Sequence, residues 1–152
     1  MNATLLVCDG ESPSRDMLER FFSQCGFRLG TARNGLECLE KIRSLHPDML
    51  VADFETLWGG AAAVMAFLHE SCFEFKIPIV LIVGNAPPRI LSRRTGVPEA
   101  SCFQKPLQME RLLDRVGLVF AQVDLRRNEP FPSHDRPVVH SGETETYLAP
   151  TA

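Results

Sequence analysis

Pro47-Asp48-Met49-Leu50-Val51-Ala52-Asp53 is the stretch that decides the fold class. Four apolar residues without polar alternation, set between a Pro-Asp turn and an acid, read as a strand covered on both faces. Such a strand delivers Asp53 to its C-terminal end. The same pattern recurs on either side. Thr4 to Cys8 is a short apolar run that ends in Asp9-Gly10-Glu11, and Pro78 introduces Ile79-Val80-Leu81-Ile82-Val83. Phe27 to Ala32 and Ala100 to Gln104 supply two further strands.

Helical signals fill the intervals. Ser12 before Pro13 reads as a cap followed by a first-turn proline, and the helix to about Cys25 puts Met17, Leu18, Phe21, Phe22 and Cys25 on one stripe before Gly26 stops it. Asn34-Gly35-Leu36-Glu37 resembles a capping box and opens a helix with Leu36, Leu39 and Ile42 inward. An alanine-rich helix is expected from Ala61 to about His69, and a short one from Ile90 to Thr95. Lys105-Pro106 leads into a last helix carrying Met109, Leu112, Leu113, Val116 and Phe120 at helical spacing. Five strands alternating with five helices predict an α/β fold, a parallel sheet between two helical layers. From Gln122 the chain turns rich in Pro, Ser, Thr and charge. A single domain over 1–121 and a disordered tail over 122–152, too short for a DNA-binding domain, are expected.

The 152 residues suffice for one ordinary domain, and a net charge of −3 provides no field that would draw the chain to nucleic acid or an anionic membrane. The five cysteines are scattered singly, so neither zinc nor a disulfide framework is suggested. Their placement, with no leader-like N-terminus, predicts the cytoplasm. His46 and His69 read as solvated helix-end residues, Phe103 as core, and Trp58 as a cover for the third helix or a partner contact.

Open α/β sheets bind ligands beyond the carboxyl ends of their strands, where strand order reverses. With the flavodoxin-like order 2-1-3-4-5, Asp9, Asp53 and Lys105 end the first, third and fifth strands and meet in one crevice. One Asp after a strand is usually a loop or cap residue; the joint placement carries the functional reading. Paired carboxylates suit Mg²⁺, and a lysine suits an anion beside it. Phosphoryl transfer needs that set.

Leu5-Leu6-Val7-Cys8-Asp9-Gly10-Glu11, Pro47 to Asp53, and Gln104-Lys105-Pro106 resemble the landmark segments of response-regulator receiver domains, and Asn34-Gly35-Leu36-Glu37 resembles the family's A-N-G-x-E segment. The resemblance runs from Thr4 to about Ala121. It implies a (βα)5 signalling module rather than an enzyme, with Asp53 as phosphoacceptor and Lys105 touching the phosphoryl group. Mg²⁺ would be held by Asp9, Asp53 and the backbone carbonyl of Glu55. The implied partners are a sensor histidine kinase or phosphotransfer protein and a downstream protein, docked on the face of the fourth and fifth helices or on the first helix; homodimerisation stays open. Four departures stand out. Gly10 replaces an acidic metal ligand, Val83 a hydroxyl residue, Cys102 an aromatic, and Leu57-Trp58 the usual Pro-Gly turn. They predict weakened Mg²⁺ binding and an impaired switch. The runner-up is a phosphorylation-independent interaction module with Asp53 and Lys105 as a buried ion pair. An FMN or nucleotide binder lacks its phosphate loop here, and Asp53-Phe54-Glu55 matches an aspartate-nucleophile phosphatase only loosely.

Overall fold

The computed structural model describes residues 3–58, 70 and 77–128. In chain order they form β1 (Thr4–Cys8), α1 (Ser12–Gln24), β2 (Arg28–Ala32), α2 (Gly35–Leu45), β3 (Met49–Asp53) and α3 (Phe54–Trp58). After a gap come β4 (Ile79–Val83), α4 (Pro88–Thr95), a 3₁₀ turn (Glu99–Ser101), β5 (Cys102–Gln104) and α5 (Met109–Asn128). The sheet order is β2-β1-β3-β4-β5 and every pairing is parallel, as the alternating pattern predicts.

Strand alternation sorts the apolar residues into two layers. Leu6, Cys8, Leu50, Ala52, Leu81 and Val83 face Cys38 and Ile42 of α2, Leu57 of α3 and Leu91 of α4. Leu5, Val7, Met49, Val51, Val80 and Ile82 face Leu18 and Phe22 of α1 and Leu112, Val116 and Phe120 of α5. Cys102 lies in the first layer and Phe103 packs against the second, so neighbours in β5 point to opposite sides. An aromatic chain ties the second layer together: Phe22 meets Phe21 and Phe27 edge-on at 5.3 and 5.8 Å, and Phe27 stacks on Phe120 at 5.5 Å.

The helix boundaries have local causes. Asn34 caps α2 by accepting the Glu37 N–H at 2.9 Å, and the Glu37 carboxylate reaches back to the Arg33 N–H at 3.0 Å, so the predicted capping box forms with a one-residue offset. Those contacts with Arg33, backbone bond first, hold the Glu37 carboxyl below its ordinary pKa. Gly26 ends α1 at φ 89°, a conformation that costs a side-chain-free residue nothing.

Several expectations are corrected. Glu11, not Ser12, occupies the N-cap of α1, and the Ser12 hydroxyl lies 3.4 Å from Asp16 Oδ2 within the first turn. Met17 is 46% exposed because the buried stripe is centred on Leu18 and Phe22; Cys25 shares their face but sits at the C-cap, past the last turn, and is exposed. Leu36 is 66% exposed, nearly opposite the Cys38–Ile42 stripe that α2 buries. Ala100 belongs to the 3₁₀ turn, so β5 is only three residues long. The last helix continues through the expected boundary at 121 to Asn128. The expected helix from Ala61 to His69, Cys72, the Trp58 side chain and the chain from 129 lie outside the described residues.

Candidate functional site

Register brings the three predicted residues together. Cys8 pairs with Ala52, so Asp9 and Asp53 emerge side by side from the two central strands. Val83 pairs with Gln104, and the Lys105 N–H extends that ladder to the Val83 carbonyl at 2.9 Å, which sets the lysine at the same rim. Its ammonium reaches Asp53 Oδ2 at 2.9 Å. Both acids are nearly removed from solvent, Asp9 at 1% and Asp53 at 4% exposure.

The acids differ in what satisfies them. Asp53 Oδ1 accepts the Thr56 N–H at 2.9 Å, so α3 begins with its amide turned onto the acid one turn back. Asp9 Oδ1 accepts the Glu11 N–H at 2.9 Å, and its backbone is pinned by Arg15 and by the Ala32 carbonyl. Asp9 Oδ2 is buried and accepts no hydrogen bond from any described residue. An unpaired buried carboxylate oxygen is costly, and a cation or an ordered water would remove that cost. This oxygen fits a hard divalent ion between Asp9 and Asp53. The set is thin, however: among the described residues no three His, Cys, Asp or Glu side chains converge.

Burial alone would lower the pKa of Lys105, but the hydrogen bond and charge of Asp53, with the charges of Asp9 and Glu11, outweigh it and leave the ammonium above its ordinary value. A folded-state pKa raised above the unfolded one stabilises the fold fully below the unfolded lysine value, about 10.4, and that contribution is lost as pH rises through the folded value. Lys105→Met is therefore expected to cost roughly 1.5–3 kcal/mol at pH 7, measured by urea unfolding. The gap from wild type should close in the alkaline range. Cys102, held at about 11 by burial and then by the charge of Glu99, destabilises both proteins alike there and cancels in the difference. A gap that stays constant up to the alkaline limit of folding would show that the ion pair does not stabilise the protein.

The structure also places the positions that the sequence reading expects to depart from the receiver pattern. Val83 is buried in the α2-side layer and brings no hydroxyl to the rim. The Cys102 thiol points at the Val97 and Pro98 carbonyls, 3.9 and 3.6 Å away, rather than toward the acids. Gly10 follows Asp9, and its N–H donates to Thr56 Oγ1 at 2.8 Å.

Sequence reasoning named Glu55 of the first turn of α3 for its backbone carbonyl but missed what the side chains of this turn do. Its three residues fasten Asp53 to three elements: the Phe54 ring lies under the Arg94 guanidinium of α4 at 5.6 Å, Glu55 lies over Gly84, and Thr56 holds Gly10. A Cβ on Gly84 would stand 3.0 Å from Glu55 Oε1, so the glycine leaves room for that carboxylate at the end of β4. No motif marks these side-chain contacts; only the position of the residues one to three places after Asp53 signals them. Among the described helices none is long and apolar enough to cross a membrane.

No family model matches the chain. The response regulator MprA of Mycobacterium ulcerans is 26% identical over 129 residues, 85% of this chain and 55% of that protein. MprA of Mycobacterium tuberculosis is 27% identical over 86% of this chain and 54% of its own length. The chain thus spans about half the length of these curated relatives. A CheY-like response regulator receiver domain protein from Methanospirillum hungatei superposes with a TM-score of 0.70 at 15% identity, covering 83% of this chain and 99% of that one. A receiver domain protein from Clostridium thermocellum gives 0.67 at 19%, covering 82% and 98%. With the 2-1-3-4-5 parallel sheet and two buried acids and a lysine on its C-terminal rim, the chain has the fold of response-regulator receiver domains and is similar in sequence to response regulators.

Proposed function

We propose that this domain accepts a phosphoryl group on Asp53 from the phosphohistidine of a sensor kinase or phosphotransfer protein, and that its response to that group is weak. The observation that carries the reading is the placement of Asp53, 2.9 Å from the Lys105 ammonium and beside the orphaned Oδ2 of buried Asp9. A carboxylate oxygen of Asp53 attacks phosphorus; the P–N bond breaks, and its electron pair leaves with the imidazole, which takes its proton from solvent. Lys105 is set to follow the negative charge from the carboxylate to the phosphoryl oxygens. Asp9, Asp53 and the Glu55 carbonyl would hold Mg²⁺, which neutralises charge on those oxygens.

Gly10 leaves that ion one carboxylate short, so uptake should be slow. Val83 and Cys102 supply neither hydroxyl nor ring to carry the change to the distal face, so the conformational response should be small. The module acts by docking rather than by catalysis. The groove between β5 and α5, about 790 Å³ and lined by Pro88, Phe103, Gln104, Arg111 and Leu118, and the α1 face with half-exposed Met17 are its candidate contact surfaces.

One observation favours the phosphorylation-independent alternative. Asp53 Oδ1 accepts the Thr56 N–H and Oδ2 is ion-paired with Lys105, although among the described residues Oδ2, like Asp9 Oδ2, is buried without a well-formed hydrogen bond. Incubation with acetyl phosphate and Mg²⁺ separates the readings: a hydroxylamine-labile phosphoryl adduct by intact mass supports the acceptor, and its absence on folded protein favours the interaction module.

A further inference from the structure

Thr56 spans the acid pocket. Its N–H donates to Asp53 Oδ1 at 2.9 Å and its hydroxyl oxygen accepts the Gly10 N–H at 2.8 Å, so a single residue joins the loop after β1 to the acid at the end of β3. Gly10 is exposed, but a Cβ there would meet one tight contact, 3.2 Å from Thr56 Oγ1, with the Arg33 carbonyl oxygen at 3.5 Å and Thr56 Cγ2 at 3.6 Å in ordinary contact. The first distance is tighter than ordinary packing, and the oxygen is fixed by its bond to the Gly10 amide. Asp9 Oδ2 next door is buried and has no hydrogen-bond partner among the described residues.

We propose that Thr56 is the residue that fits the pocket to glycine at position 10, filling the place of the missing acid and holding the loop after β1 in register, so that the pocket's affinity for a divalent cation is set jointly by Gly10 and Thr56. A side chain regained at position 10 would have to push the Thr56 hydroxyl aside by a few tenths of an ångström, straining its bond to the Gly10 amide. The proposal rests on the reading of Asp9 and Asp53 as a Mg²⁺ pocket, but not on phosphorylation of Asp53.

The test compares wild type, Gly10→Asp, Thr56→Ala and the double variant by calorimetric titration with Mg²⁺, each protein first checked for an intact thermal transition. Gly10→Asp alone should tighten Mg²⁺ by less than about threefold, whereas the double variant should exceed Thr56→Ala by on the order of tenfold or more, the effect expected of one added ligand charge. Gly10→Asp combined with Thr56→Ser, which keeps the hydroxyl and loses Cγ2, should behave like Gly10→Asp alone. The full gain in Gly10→Asp alone would overturn the role of Thr56; no gain in the double variant would show that position 10 does not face the cation. If wild type takes no phosphoryl group from acetyl phosphate but the double variant gains Mg²⁺ affinity, the phosphoacceptor reading fails and this inference stands.

Discussion

Asp53→Asn is expected to abolish the phosphoryl adduct and, with it, any Mg²⁺-dependent response to beryllofluoride. The amide keeps the shape of the carboxylate but loses the anionic oxygen that attacks phosphorus or binds beryllium, and it halves the carboxylate charge that Asp9 and Asp53 offer a cation. The chain's single tryptophan, Trp58, ends α3, the helix that begins next to Asp53, so its fluorescence is a suitable reporter. A saturable change in wild type that needs Mg²⁺ and vanishes in Asp53→Asn identifies the acceptor. An adduct that persists in the variant would place the acceptor elsewhere. Silence in both proteins at millimolar Mg²⁺ would leave Asp53 and Lys105 as a structural ion pair.

Phe22→Ala should produce the largest loss of stability among single core changes on the α1 side, roughly 3–5 kcal/mol by urea unfolding. Phe22 is fully buried, faces Val7 and Val51 of the central strands, and is the middle ring of the Phe21–Phe22–Phe27 contacts that lead on to Phe120 of α5. Removing it opens a cavity where α1, β2 and the sheet meet, and rings held edge-on cannot close it without leaving their rotamers. A loss below about 1 kcal/mol would mean that this layer collapses freely around the gap. Phe22→Leu, which keeps most of the volume, should fall well between.

Much of this was legible in the sequence because it depends on local periodicity. Apolar runs without alternation marked strands buried on both faces, and the polar residues where each run stopped, Asp9, Asp53 and Lys105, were the ones gathered at the rim. The strand order makes that convergence unavoidable, since parallel strands end on the same side. Helix faces were less legible. Met17 and Leu36 fit an apolar count but not the angle at which α1 and α2 meet the sheet, and a helical stripe is chosen by what packs on it.

Asp9, Asp53, Lys105 and the parallel α/β fold were thus determined by the sequence alone, because buried strands and their polar ends are properties of contiguous residues. Tertiary structure alone decided how those groups are satisfied. Nothing in the order of residues links Gly10 to Thr56, Phe54 to Arg94 or Gly84 to Glu55; each pair is brought within contact distance by the sheet, after separations of 46, 40 and 29 residues. The same is true of Asp9 Oδ2, which has no hydrogen-bond partner among the described residues, since whether a buried oxygen has a partner depends on what the neighbouring elements leave around it.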